Sequence, residues 1–374
     1  MRRREFLRCG GALALEAMVR SSLWRPGCDE GAYGPLGPPD ENDVQLPPSF
    51  RSRILAVSGE EVPGTGYVWH GAPDGGAVFP VHGGWIYVSN AELVPGGGVG
   101  VLRFDPSGRI VDAYAICSGT RRNCAGGATP WGTWLSCEEV PDGLVYECDP
   151  GGREPAVPRP ALGRFQHEAV ASDPVDRRLY LTEDRPDGRL YRFTPNAWER
   201  LDGGVLEVAE LFGADSLRWH RVPNPTPGPG AIATRHQVPQ STRFRGGEGI
   251  VWDRGHVYFT TKDDDRVWDL DVAASTLRVL YQPAPSLPLA GVDNIAATRH
   301  GELIVAEDGG NMELVVITRS RRVLPLLRIV GHDDSELAGP AFDPTGTRLY
   351  LSSQRGRDGR GITLEVRGPF RPLR

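Results

Sequence analysis

Leu179-Tyr180-Leu181-Thr182-Glu183-Asp184 is a short β-rich run that ends on two acids, and the chain repeats it. Trp85-Ile86-Tyr87-Val88 ends at Asn90-Ala91-Glu92, and Thr133-Trp134-Leu135 ends at Cys137-Glu138-Glu139. Val257-Tyr258-Phe259 ends near Asp263, Leu303-Ile304-Val305 at Glu307-Asp308, and Leu349-Tyr350-Leu351 at Ser353-Gln354. Four of the intervals between copies are about 45–48 residues and one is about 79. A strand precedes the acid-ending run, as in Glu168-Ala169-Val170-Ala171, Glu248-Gly249-Ile250-Val251, Asp293-Asn294-Ile295-Ala296 and Gly339-Pro340-Ala341-Phe342. A third strand follows it, as in Val101 to Asp105, Val145 to Asp149, Leu190 to Phe193 and Val267 to Leu270. Repeats of this length with three or four strands each are propeller blades. Six copies with one insertion predict an all-β fold, a six-bladed β-propeller. Phe50 to Val57 is expected to supply the outer strand of the C-terminal blade. The propeller is expected to fill residues 45–374 as one domain, with the insertion at about 195–243. Val205 to Phe212 is the best short helical candidate.

Composition agrees with many tight turns. Gly (48) and Pro (33) make about 22% of the 374 residues, against an ordinary share near 12%. The formal charge is −6, but the first 28 residues carry six Arg and two acids, which leaves −6 − 4 = −10 on the remainder. An acidic body of this kind excludes a nucleic-acid binder and suits metal cations. Lys262 is the only lysine.

The N-terminus reads as an address over residues 1–35. Arg3-Arg4-Glu5-Phe6-Leu7-Arg8 precedes the small, apolar run Cys9 to Val19, a pattern that resembles a twin-arginine export signal. The run is too short to span a membrane, so the expectation is an exported monomer that meets the twin-arginine machinery and has no stable membrane span. Cys117, Cys124, Cys137 and Cys148 cluster without the paired C-x-x-C spacing of a zinc site. Outside the cytoplasm a disulfide is permitted, and Cys117 with Cys148 is the candidate pair.

In a propeller the first strand of each blade lines the central channel, and the second runs antiparallel to it. The start of the first and the end of the second therefore meet at one mouth. First-strand starts carry Cys124, Glu168, Glu248 and Asp293, with Asp74 near the matching place; second-strand ends carry Glu92, Glu139, Asp184, Asp263 and Asp308. Uncompensated carboxylates at one opening repel, and bound cations remove the conflict. Carboxylate oxygens suit calcium, and a thiolate among them suggests a transition metal such as iron. Singly, each acid reads as a solvated turn residue; the case rests on the set.

Asn123-Cys124-Ala125-Gly126-Gly127-Ala128-Thr129-Pro130-Trp131-Gly132-Thr133-Trp134-Leu135-Ser136-Cys137-Glu138-Glu139 closely resembles the signature of the PhoX-type alkaline phosphatase family. Arg164 to Ala169, Arg243 to Gly249, Val292 to Ile295 and Glu336 to Pro340 support the resemblance. It implies a propeller with an iron–calcium cluster at the channel mouth and hydrolysis of small phosphate esters outside the cytoplasm. Carried over by motif, Cys124 is the iron-binding thiolate. Glu168 and Asp184 are further cluster ligands, and Glu139, Glu248, Asp293 and Asp308 bind iron or calcium. Two places depart from the pattern. Gly246 stands where the family has a second Arg before Gly-Glu-Gly, which leaves Arg245 or Arg266 to contact substrate beside the catalytic Glu168. Gln354-Arg355-Gly356 lacks the expected His-Pro.

Other residues read more plainly. His167 is expected to pack on the opposite strand face from Glu168, Cys137 to be buried, and Trp131 and Trp134 to fill blade core. Pro223 to Gly230, within the insertion, is expected either to cover the mouth or to form a surface excursion. No G-x-S-x-G elbow is present, which argues against serine hydrolysis. The alternatives to a phosphoesterase are a non-catalytic calcium-binding propeller and a metal-dependent hydrolase of another class, such as a lactonase.

Overall fold

A computed structural model describes residues 31–284 and 288–373; the twin-arginine segment lies outside the described residues. Within them the fold is all-β, and no helix is long and apolar enough to cross a membrane. The strands form four sheets of four or five strands and one of nine, arranged like a propeller.

The first sheet runs in chain order through Pro73–Val81, Gly84–Ala91, Gly97–Phe104 and Ile110–Thr120, and the second through Asn123–Ala128, Trp134–Glu138, Val145–Cys148 and Val157–Pro158. The nine-stranded sheet runs outward from His167–Asp173 through Arg178–Glu183, Leu190–Ala197 and Arg200–Phe212 to Ser216–Arg221. There Ser216 meets Thr276, and the sheet returns inward from Thr276–Tyr281 through Arg266–Asp271 and His256–Thr261 to Gly247–Asp253. Val292–Ala297, Leu303–Glu307, Glu313–Ile317 and Val323–Ile329 follow, with Val44–Gln45 added at the edge. The last sheet is Leu337–Phe342, Arg348–Ser353 and Ile362–Arg367, completed by Arg51–Val57. The N-terminal segment thus supplies the outer strand of the C-terminal sheet, as the sequence leads one to expect.

The inner strands lie side by side in a closed ring. Pro73–Val81 neighbours Asn123–Ala128, then His167–Asp173, Gly247–Asp253, Val292–Ala297 and Leu337–Phe342, which returns to Pro73–Val81. Small residues make that approach possible. A Cβ on Gly249 would stand 2.6 Å from the Ile295 nitrogen, closer than any real contact. Between sheets the core is aromatic: Trp85 stacks on Phe104 at 5.6 Å, Phe104 on Tyr350 at 5.1 Å, and Trp85 Nε1 donates to the Tyr350 hydroxyl. Trp134 and Cys137 are buried as expected, whereas Trp131 is only half-buried, edge-on to Trp198.

Val205 to Phe212 is not helical. It is part of the Arg200–Phe212 strand, paired on both sides. Leu206 and Val208 are buried on one face, while Glu207 pairs across the strand with Arg192 at 2.7 Å. That period of two outweighs the helical tendency of Leu, Glu and Ala. The insertion therefore extends a sheet before it loops back, and Arg235 then pairs with Asp187 at 3.1 Å.

Cys117 on Ile110–Thr120 and Cys148 on Val145–Cys148 belong to neighbouring sheets. Both are buried and free, and each thiol influences the other, Cys148 lowering the pKa of Cys117 and Cys117 raising that of Cys148. Treating the folded protein with a diffusible thiol oxidant should therefore join them. Peptide mapping of the denatured chain should show a Cys117–Cys148 link; recovering both as alkylatable thiols would contradict their proximity.

Candidate metal centre

In every inner strand the pairing register slips at the same place. The slips fall between Pro73 and Gly76, Asn123 and Gly126, His167 and Val170, Gly247 and Ile250, Val292 and Ile295, and Ala338 and Ala341. A bulge re-aims a side chain out of the regular alternation. The residues in the bulges are Asp74, Cys124, Glu168, Glu248, Asp293 and Gly339. Opposite them, the residues just past the second-strand pairing are Glu92, Glu139, Asp184, Lys262, Asp308 and Gln354. Sequence pattern placed Asp263 in this set, but His256–Thr261 pairs to its last residue and puts Lys262 there instead. Asp263 is exposed one step beyond.

The donors converge in four linked groups whose ligand atoms lie within 4.8 Å of one another. Cys124, Glu139 and Glu168 form one. Glu168 is shared with Glu248 and Asp293, Asp293 with Asp308 and Glu336, and Glu336 with Asp74 and Glu92. Cys124 Sγ approaches Asp74 Oδ2 at 3.7 Å, which brings the two ends together. Of the expected ligands, Asp184 alone stands outside these groups, held by Lys262 Nζ at 2.8 Å. Glu336 is the donor that positional reasoning misses. Its sheet has Gly339 in the bulge, at φ +62 and without room for a Cβ, so the carboxylate comes from three residues earlier. Its backbone pairs with Asp308.

Burial makes these charges costly. Glu168 is fully buried and neither carboxylate oxygen has a hydrogen-bond partner. Burial, then Glu248 and Glu139, hold its carboxyl well above the usual range. Burial and Glu92 push Asp74 up to about 7. Glu139 is pushed up to about 8 by burial, although Arg122 opposes the shift. The Cys124 thiol is raised by burial and by Asp74. Gln354 Nε2, with two protons, faces Asp74 Oδ2 at 2.6 Å, Glu92 Oε2 at 2.9 Å and a Glu336 oxygen. Among the described residues, these nine carboxylates pair with three cations, Arg122, Lys262 and Arg355. Orphaned buried oxygens and a carboxylate excess fit bound metal. A thiol among carboxylates offers one soft site, and the other groups are all oxygen.

His167 is outside the donor set. It is buried, its Nε2 bonds to the Gly163 carbonyl at 3.1 Å, and its ring lies 3.7 Å from that of Phe165. Arg245 lies beside the ring with its Nε 3.8 Å from Asp263. Arg266 pairs with Asp264 at 3.2 Å and lies over Trp268.

A cation that binds only the folded ring should raise the melting temperature, since saturation a hundredfold above Kd contributes about 2.7 kcal/mol. Glu168→Gln keeps the shape and removes the charge shared by two groups. Differential scanning of metal-stripped protein should show a clear upward shift with added divalent cation in the wild type and a smaller one in Glu168→Gln. Equal shifts would exclude Glu168 from cation binding.

No curated protein is a significant sequence relative of the chain. Among solved structures it is similar to a gluconolactonase from Xanthomonas campestris, at TM-score 0.56 and 13% identity over 90% of this chain and 98% of that one. It is also similar to a protein of unknown function from Bacteroides thetaiotaomicron, at TM-score 0.54 and 9% identity over 85% and 76% of the two chains. At these identities the likeness is one of fold. The PhoX alkaline phosphatase family matches residues 89–146 and 141–276, which include the Cys124 bulge, Glu139, Glu168, Asp184 and Glu248. Matched over half its length, the chain belongs to the PhoX alkaline phosphatase family.

Proposed function

We propose that the chain is an exported, metal-dependent phosphoesterase acting on small phosphate esters. The observation that carries the reading is Glu168, whose unpartnered oxygens lie between the thiol of Cys124 and the carboxylates of Glu248 and Asp293 in a member of this family. We read the nine-stranded sheet as two blades joined through Ser216–Arg221, which makes six in all. The leader fits twin-arginine export, and the protein would act as a monomer outside the cytoplasm.

Cys124, Glu139 and Glu168 would hold iron, and the all-oxygen groups would hold calcium. Bound, such a cluster supplies Lewis-acid charge for a phosphoryl group and its attacking oxygen. The chain's own residues set the geometry. The bulges fix Cys124, Glu168, Glu248 and Asp293 on rigid inner strands. Gln166 Nε2, 2.9 Å from Glu139 Oε1, and Arg122 orient Glu139. Asp184 is held off the donor groups by Lys262, which corresponds to a supporting role. Arg245 and Arg266, beside the ring, remain candidates for contact with the ester's leaving group.

Elemental analysis of natively exported protein should find iron and calcium, with iron lost in Cys124→Ala while the fold persists. Calcium chelation should abolish turnover of a generic phosphomonoester, and Glu168→Gln should lower it by about 100-fold or more. A metal-loaded protein that leaves phosphate esters intact and opens an aldonolactone would establish the lactonase alternative. One that does neither would leave a binding module.

A further inference from the structure

The second-strand position that carries Glu92, Glu139, Asp184 and Asp308 in four of the inner hairpins carries a lysine in a fifth. It is the chain's only lysine. Lys262 Nζ lies 2.8 Å from Asp184 Oδ2 and 2.7 Å from Glu248 Oε1. Its path depends on Gly246, which sits at φ +61; a Cβ there would come within 2.8 Å of Lys262 Cγ. Gly246 and Lys262 are joined as well through the Lys262 N–H to Gly246 carbonyl bond, 2.8 Å.

Two arginines behave alike. Arg122 Nε donates to Glu92 Oε1 at 2.8 Å, and its guanidinium reaches Glu139 Oε2 at 2.9 Å. Arg355 reaches Glu92 at 3.2 Å and Glu336 at 3.6 Å. Each of the three thus straddles two ring carboxylates, and each keeps about a third to a half of its side chain open to solvent. An ammonium has three donors and a guanidinium five. Lys262 Nζ meets one oxygen of each of its two carboxylates, which leaves one of its three donors over, and the exposed parts of the two guanidinium groups likewise remain open to an incoming anion.

We propose that Lys262, Arg122 and Arg355 form a cationic collar that receives the oxygens of the substrate's phosphoryl group, with Lys262 as its fixed central contact. The proposal rests on the phosphoesterase reading and extends it to the chain's own substrate contacts. The chemistry demands such a collar. An anion entering this mouth approaches nine carboxylates, and charged N–H donors give the short, strong hydrogen bonds that a phosphate dianion takes. Arg122 and Arg355 share Glu92, while Lys262 holds Asp184 and Glu248, so the three charges reach both sides of the ring.

The test is calorimetric binding of inorganic phosphate to metal-loaded protein, with metal content per chain measured alongside. Lys262→Met should weaken phosphate binding about tenfold or more at unchanged metal content, and Lys262→Arg should restore most of it. Arg355→Ala should weaken binding several-fold. In turnover, Lys262→Met should raise KM more than it lowers kcat. Wild-type affinity for phosphate in Lys262→Met, or weakening that follows only from lost metal, would overturn the collar. Ester turnover by Lys262→Met at the wild-type KM would sink the collar alone. Lys262-dependent phosphate binding with no ester turnover would sink the phosphoesterase reading alone.

Discussion

Like-charge repulsion among buried carboxylates is the constraint around which this molecule is arranged. At 4.8 Å, the outer limit of separation within each donor group, two ionised groups repel by about 3–4 kcal/mol at an effective dielectric of about 20. Glu168, Asp293 and Glu336 each belong to two groups and bear that cost more than once. Few folds could keep such a set together without metal. A ring of short strands can, because the donors are spread over five sheets and each is fixed by the strand that carries it or that it follows. The cost is distributed over separate aromatic cores instead of falling on one.

The bulges are the local device that makes this work. A regular strand alternates its side chains, so the channel would receive every second residue along its whole length. The slip at the start of five of the six inner strands directs one donor to the mouth, and residues such as Gly75, Ala125, Ala169 and Gly249 follow it closely. A larger residue at Gly249 would collide with the next inner strand at Asn294 and Ile295. Chemistry at the mouth and close packing of the ring thus constrain adjacent positions in the sequence.

Much of this is legible without coordinates because it is periodic. The recurrence of a β-run ending in acids locates Glu92, Glu139, Asp184 and Asp308, and the preceding strand locates Cys124, Glu168, Glu248 and Asp293. Asp263 shows the limit. Nothing in Val257 to Asp265 marks where pairing stops, and strand ends read from pattern carry an error of a residue or more. One residue is enough to exchange an acid for Lys262. Glu336 is missed for a different reason, since it lies three residues before the equivalent position and only Gly339 hints that the regular donor is missing. Arg122 precedes the Asn123–Ala128 strand and Arg355 follows Arg348–Ser353. Their contacts depend on where adjoining turns lead, which periodicity does not encode.

The pairing of Arg51–Val57 with Ile362–Arg367 bears on how the chain acquires this shape. Arg51–Val57 has its partner more than three hundred residues later, as Arg51 with Arg367 shows. Such a distant contact slows folding, since loop-closure entropy is lost before the contact is gained. The early strand can pair only once Ile362–Arg367 has been made, so Arg51–Val57 waits without its partner while the intervening strands form. Gln354, which follows Arg348–Ser353 in the same sheet, faces Asp74, Glu92 and Glu336. Weakening the contact between these two distant stretches of chain would therefore loosen the amide that holds three of the ring's carboxylates.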